Sequence, residues 1–236
     1  TPLTLSSLDR NAGKGGDSKA IRLHALDTVN PTTVRHITGS LDLSKTLFFV
    51  SSKSGTTIEP LTLESHFRLQ MANQLGGEMD RRNFIALTDP GTPLSERARA
   101  GEFGTWVATP ENVGGRFSAL SAFGMMPAAA IGVDIREFAE SAVQSAQSSQ
   151  SDDQFNHPLR LGAFLAANAL NGKNKVTLLT HPEYEKFGMW VDQLLAESTG
   201  KNGKGLIPVT GEPALNIDDY GDDRQFVIYY PRPDDE

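Results

Sequence analysis

Three short segments carry side chains whose type and spacing could do chemistry. The first runs Thr46-Leu-Phe-Phe-Val-Ser-Ser-Lys-Ser-Gly-Thr-Thr-Ile-Glu59. An apolar strand ends in hydroxyl residues around Gly55, and a helical pattern begins at once. Such a junction aims backbone N–H groups and the positive end of a helix dipole at one spot. Ser52, Ser54, Thr56 and Thr57 add hydroxyl donors, and Lys53 adds a charge. A phosphate monoester suits that place, but Ser and Thr also cap helices well. On spacing alone the two readings stand level. The Gly-x4-Gly-Lys spacing of a nucleotide-hydrolysing loop is absent.

The second segment is Asn112-Val-Gly-Gly-Arg-Phe-Ser118. The paired glycines, Gly114 and Gly115, let the backbone turn tightly or approach a ligand closely. Arg116, held there, offers a planar fork to oxyanions, although a glycine turn with a solvated arginine is the commoner case. The third segment is Gln193-Leu-Leu-Ala-Glu-Ser-Thr-Gly-Lys201. Gln193 and Glu197 are four apart and share a helix face. Glu197 falls at the C-terminal end of that helix, just before Gly200, where the dipole's negative end strengthens a carboxylate as a base. An exposed terminal glutamate is the plainer alternative.

Short apolar runs and longer helical patterns must position these groups. Strands are expected at Arg22–Leu26, Thr46–Ser51, Asn83–Thr88, Thr105–Ala108, Lys175–Thr180, Leu206–Val209 and Gln225–Tyr230. Most are near-continuously apolar, as in strands covered on both faces. Helices are expected at Ile58–Leu75, with Leu63, Phe67, Met71 and Leu75 on one face and a stop at Gly76–Gly77, and at Ser118–Ile131, with a break near Pro127. Others are expected at Arg136–Gln147, Pro158–Leu170 and Glu183–Glu197. Strands alternating with helices imply an α/β fold with parallel sheets in a three-layer sandwich. A Ser/Gln tract from Ser145 to Ser151, followed by Asp152–Asp153, reads as a linker. The expected division is a loop or tail over 1–19, a first domain over 20–150 and part of a second over 151–236.

The 236 residues carry a net charge of -7, against the basic surface that nucleic acid requires. The chain has no cysteine, which excludes disulfides and thiolate chemistry. No apolar run approaches the length of a membrane span, and the expected location is cytoplasmic. No clustered His/Cys/Asp pattern suggests a metal.

Taken in order, the three segments resemble motifs of the phosphoglucose isomerase family. Ser51-Ser-Lys-Ser-Gly-Thr-Thr-Ile-Glu-Pro60 is similar to its phosphate loop, Val113-Gly-Gly-Arg-Phe-Ser-Ala-Leu-Ser121 to its arginine motif, and Ala196-Glu-Ser-Thr-Gly-Lys201 to the motif of its catalytic glutamate. The likeness runs from about Arg22 to about Pro213. It implies two domains of the sugar isomerase (SIS) fold, the second incomplete, and cofactor-free interconversion of glucose 6-phosphate and fructose 6-phosphate. On that resemblance Ser52, Lys53, Ser54 and Thr57 hold the phosphate. Glu197 moves the proton between C2 and C1 through a cis-enediol, Arg116 stabilises the enediolate oxygen, and Gln193 and Gly115 line the sugar site.

The chain also departs from the family. The upstream Gly-x-Gly-Gly-Ser turn has only an echo in Gly13-Lys-Gly-Gly-Asp-Ser18, with Asp17 in the serine's place. No histidine follows Glu197. None of His24, His36, His66, His157 and His181 falls where the family's ring-opening acid is expected, and neither Lys201 nor Lys204 matches its C-terminal lysine. The expectation is therefore an internal stretch of a longer, homodimeric isomerase, stand-alone or fused to transaldolase, with negligible turnover by itself. The alternative is a non-catalytic sensor of sugar phosphates on the same fold.

Overall fold

The computed structural model describes residues 21–75, 81–152, 156–213 and 215–230. The expected N-terminal loop and its Gly13–Ser18 echo, the Gly76–Gly77 helix stop and Asp153 lie outside them. The chain divides into two compact units, Thr1–Ile135 and Arg136–Glu236. This division falls ahead of the Ser/Gln tract, at the start of the helix Ile135–Ser148 rather than at its end.

In the first unit, residues 21–30 form no strand, so the expected strand at Arg22–Leu26 is not made. The apolar residues there alternate, but no strand among the described residues pairs with them. Helix α1 follows over Pro31–Ser40, started by the Asn30 side chain accepting from the amides of Thr32 and Thr33. Then come β1 (Phe48–Ser51), α2 (Ile58–Leu75), β2 (Phe84–Thr88), α3 (Pro93–Arg99) and β3 (Thr105–Ala108). The three strands are parallel in the order β1-β2-β3, with Phe48 opposite Phe84 and Ala86 opposite Trp106.

That register puts Phe48, Val50, Phe84, Ala86 and Trp106 on one face of the sheet. They form the core with Phe67 and Met71 of α2 and Leu94 of α3. Phe48 stacks on Phe84 at 4.8 Å and leans on Phe67 at 4.9 Å. Phe84, fully buried, contributes about 1.5–3 kcal/mol by transfer alone. In β2, Phe84, Ala86, Leu87 and Thr88 are all buried, as a strand covered on both faces requires.

After β3 the chain makes a 3-10 stretch, Gly115–Leu120, and then α4, Ala122–Ala130. The interruption lies at Ser121 rather than at Pro127, through which α4 continues. Gly124 explains the position. A β-carbon there would stand 2.1 Å from the carbonyl oxygen of Ala119, so only glycine lets the helix start fold back on the preceding turn.

The second unit holds α5 (Ile135–Ser148), α6 (His157–Leu170), β4 (Lys175–Thr180), α7 (Glu185–Thr199), β5 (Ile207–Thr210) and β6 (Arg224–Tyr229). Its sheet is also parallel, in the order β5-β4-β6, with β4 central and Val176, Thr177 and Leu178 buried. Helix α7 packs on it through Gly188, where a β-carbon would press on Thr210 at 3.2 Å.

Candidate functional site

In the first unit the hydroxyl-rich segment is the junction between β1 and α2. The Ser52 amide donates to the carbonyl of Leu87 on β2, extending the sheet by one rung, and the Gly55 amide then closes a turn on the Ser52 carbonyl. Gly55 has φ of +67° and is buried against the start of α3. A β-carbon there would lie 2.7 Å from Thr92 Cβ and 2.9 Å from the Leu94 amide nitrogen. Both facts require glycine.

Around this turn Ser52 Oγ donates to Thr57 Oγ1 (2.9 Å) and accepts the Thr57 amide (3.4 Å). Ser54 Oγ meets Thr56 Oγ1 (2.9 Å) and accepts the Thr56 amide (3.3 Å). Four hydroxyls and two amide donors thus collect at the N-terminus of α2. Ser52 is buried, whereas Ser54 and Thr56 are exposed.

Lys53 behaves differently from its neighbours. Its ammonium donates to Asp89 Oδ2, to the carbonyl of Pro110 at 3.0 Å and to the carbonyl of Glu111 at 3.3 Å. Asp89 lies just past the end of β2 and is buried. Its other oxygen, Oδ1, accepts from Thr109 Oγ1, just past the end of β3. The Asp89 amide donates to the Lys53 carbonyl (3.3 Å), and the Thr109 amide to the Thr88 carbonyl (3.1 Å). Sequence reasoning missed Asp89 and Thr109. The available signal was a polar residue just beyond the end of each neighbouring parallel strand.

Beyond this cluster the chain reaches Arg116 through successive tight turns. The Val113 amide bonds the Pro110 carbonyl, the Phe117 amide the Gly114 carbonyl, and Ser118 Oγ the Gly115 carbonyl at 2.6 Å. Arg116 is half-buried, its guanidinium carbon 4.8 Å from the centroid of the Phe117 ring.

In the second unit Gln193 and Glu197 lie one turn apart on α7. Gln193 Nε2 donates to Glu197 Oε2 at 3.4 Å, and Glu197 is exposed. The helix end is closely fixed. Thr199 Oγ1 donates to the Leu195 carbonyl (2.7 Å) and accepts the Leu206 amide (2.8 Å). Lys201 Nζ reaches the carbonyls of Glu197 (3.3 Å) and Ser198 (3.1 Å), quenching the negative end of the helix. Asn202 and Gly203, both at positive φ, then turn the chain toward β5, with Lys201 and Lys204 bonded across the turn. The structure therefore gathers Ser52, Ser54, Thr57, Lys53 and the Arg116 segment in the first unit, and Gln193 with Glu197 in the second.

Among the described residues no group of His, Asp and Glu side chains could hold a metal ion, and no helix is long and apolar enough to cross a membrane.

Two parallel sheets with crossover helices, and a hydroxyl-lined loop leading from the first strand into a helix, define an α/β fold of the sugar isomerase type. The phosphoglucose isomerase family profile matches residues 8–211, and the chain belongs to that family. A probable glucose-6-phosphate isomerase of Methanococcus maripaludis is 33% identical over 217 residues, covering 91% of this chain and 48% of that protein. The glucose-6-phosphate isomerase of Streptococcus pyogenes is 34% identical over 182 residues, 75% of this chain and 39% of its own.

Among solved structures, a hypothetical protein from Thermus thermophilus superposes with a TM-score of 0.74 at 30% identity, covering 84% of this chain and 48% of that one. A glucose-6-phosphate isomerase from Chlamydia trachomatis gives 0.65 at 26% identity, covering 78% and 36%. The chain spans about half the length, or less, of the relatives it matches.

Proposed function

We propose that the protein interconverts glucose 6-phosphate and fructose 6-phosphate. The observation that carries the reading is the β1–α2 junction, where four hydroxyls and two amides converge at a helix start in a chain of this family. A phosphate entering there exchanges with the serine oxygens for the Thr56 and Thr57 amides and takes further bonds from the Ser52, Ser54 and Thr57 hydroxyls. The sugar phosphate is then held by its far end, and the reacting carbons need only a base and a partner for the developing oxyanion.

Glu197 is the base. It removes the C2 proton of the open-chain aldose as negative charge builds on the C1 oxygen, and returns it to C1 as the carbonyl forms at C2, the hydroxyl proton of O2 passing to O1. The charge that builds on oxygen is met by the Arg116 guanidinium, and Gly115 leaves the backbone beside it free of a side chain. Gln193, bonded to Glu197, orients the carboxylate. The reaction relocates protons and needs no external electron acceptor.

The test is Glu197→Gln in the intact gene product, with fructose 6-phosphate formation followed by a coupled assay and sugar-phosphate affinity by calorimetry. Turnover is expected to vanish while affinity persists. Unchanged turnover removes Glu197 from the mechanism. Binding without turnover in the unsubstituted protein replaces the enzyme with a sensor.

A further inference from the structure

An ammonium group has three N–H donors and no acceptor. In this fold all three Lys53 donors are committed, one to a carboxylate and two to consecutive backbone carbonyls, Pro110 and Glu111. The carboxylate is itself buried and fixed by Thr109 through its second oxygen. Asp89 and Lys53 are further tied backbone to backbone, and the Thr88 hydroxyl donates to the Lys53 carbonyl at 3.3 Å. The cluster joins the ends of all three strands of the first sheet: β1 through Lys53, β2 through Asp89 and β3 through Thr109. From Pro110 one turn closes at Val113, and after the extended Gly114 a second carries the chain through Arg116.

We infer that Lys53 is a positioning residue: with Asp89 it clamps the Pro110–Glu111 backbone and so sets the arginine segment at a fixed place against the hydroxyl loop. Turning Lys53 toward a bound phosphate would take a donor from three acceptors, one of them a buried carboxylate left only the Thr109 hydroxyl. Unpairing a buried charge costs more than one further hydrogen bond to an exposed anion returns. The phosphate is therefore held by hydroxyls, amides and the helix dipole. The inference rests on the isomerase reading only for what the arginine segment is positioned to do.

The experiment compares Lys53→Met, Asp89→Asn and the double variant in the intact gene product. It measures kcat and KM for glucose 6-phosphate, calorimetric Kd for inorganic phosphate, and amide hydrogen exchange over residues 112–118. Each single variant is expected to lower kcat by about 10- to 100-fold, the penalty of a reacting group misplaced by an ångström. Phosphate Kd should stay within about twofold, exchange over 112–118 should rise, and the double variant should do no further harm, as partners in one interaction behave.

Lys53→Arg separates the roles again. It keeps the charge but replaces a three-donor head with a planar fork. A phosphate ligand tolerates that change, whereas the clamp does not, so kcat should fall with KM held. A phosphate Kd raised tenfold by Lys53→Met and unmoved by Asp89→Asn overturns the inference, as does unaltered exchange over 112–118 in both. If the unsubstituted protein shows no isomerisation, the isomerase reading fails, while phosphate affinity and exchange still decide for or against the clamp.

Discussion

Gly55 is where the loop's shape can be tested most directly, because the structure supplies its own control. Gly55 and Gly132 share the left-handed region, at φ of +67° and +85°. A β-carbon on Gly132, at the end of α4, meets nothing within 4 Å, whereas one on Gly55 meets Thr92 Cβ at 2.7 Å, Thr92 Oγ1 at 2.8 Å and the Leu94 amide nitrogen at 2.9 Å. None of these atoms yields easily. Thr92 Oγ1 is bonded to Thr88 Oγ1 (2.8 Å), to the Asp89 carbonyl (3.0 Å) and to the Ser95 amide (3.2 Å), and Leu94 is fully buried.

Alanine at Gly132 should thus cost only the backbone penalty, about 1 kcal/mol. Alanine at Gly55 adds overpacking, for about 3 kcal/mol in all. The chain has two tryptophans, Trp106 in the first unit and Trp190 in the second. A Trp190→Phe background makes urea unfolding, followed by fluorescence, report the first unit alone. Gly55→Ala should also weaken inorganic phosphate binding, which Gly132→Ala should leave unchanged. Equal destabilisation by the two substitutions would refute the claim that close approach to α3 dictates glycine in this loop.

Two further outcomes are expected. Glu64 on α2, its side chain only 1% exposed, accepts from Arg68 Nε (2.7 Å) and bidentately from Arg97 (2.8 and 3.0 Å). Glu64→Ala should destabilise the first unit by about 3 kcal/mol, because two guanidiniums lose their buried counter-charge; a loss below 1 kcal/mol in the same urea assay counts against that account. In the second unit the Lys175 ammonium beside Asp223 holds its carboxyl below the ordinary aspartate value of 3.8. A depressed value stabilises the fold above the unfolded-state pKa, and the benefit is lost as pH falls through the folded value. Asp223→Asn should therefore flatten the acid-side decline of the unfolding midpoint below about pH 4, and an unchanged decline would assign it elsewhere.

Much of the fold was legible because burial leaves a periodic trace. Helix α2 has the bounds expected from its apolar spacing, with Leu63, Phe67 and Met71 buried as that face requires, and β3 and β4 likewise have the expected bounds. What periodicity cannot register was missed. Helix α1 buries only Val34, so it has no stripe to find, and α3 is seven residues long. Both were signalled instead by a capping residue followed by proline, Asn30-Pro31 and Thr92-Pro93. Conversely, Arg22–Leu26 has the composition of a strand but pairs with no strand among the described residues, and a strand exists only where a neighbour completes its ladder.

The contacts within the candidate site follow from the sequence where they are local and not where they are distant. Ser52, Ser54 and Thr57 lie within six residues of one another, and so do Gln193 and Glu197, so a linear motif holds all the geometry that relates each group. Lys53 shares the first motif and was grouped with it as an anion ligand, yet its bonds reach 36, 57 and 58 residues downstream. The missing information is the strand register. With Ser51 opposite Leu87 and Thr88 opposite Ala108, parallel pairing brings the residues just past the three strand ends together. Lys53, Asp89 and Thr109 are those residues. A cation in a hydroxyl-rich loop follows its acceptors rather than its motif, and at the C-terminal edge of a parallel sheet those acceptors come from the adjacent strands. On the proposed reading, a phosphate's charge there falls to fixed dipoles, while the Lys53 ammonium is committed to Asp89 and the Pro110 and Glu111 carbonyls.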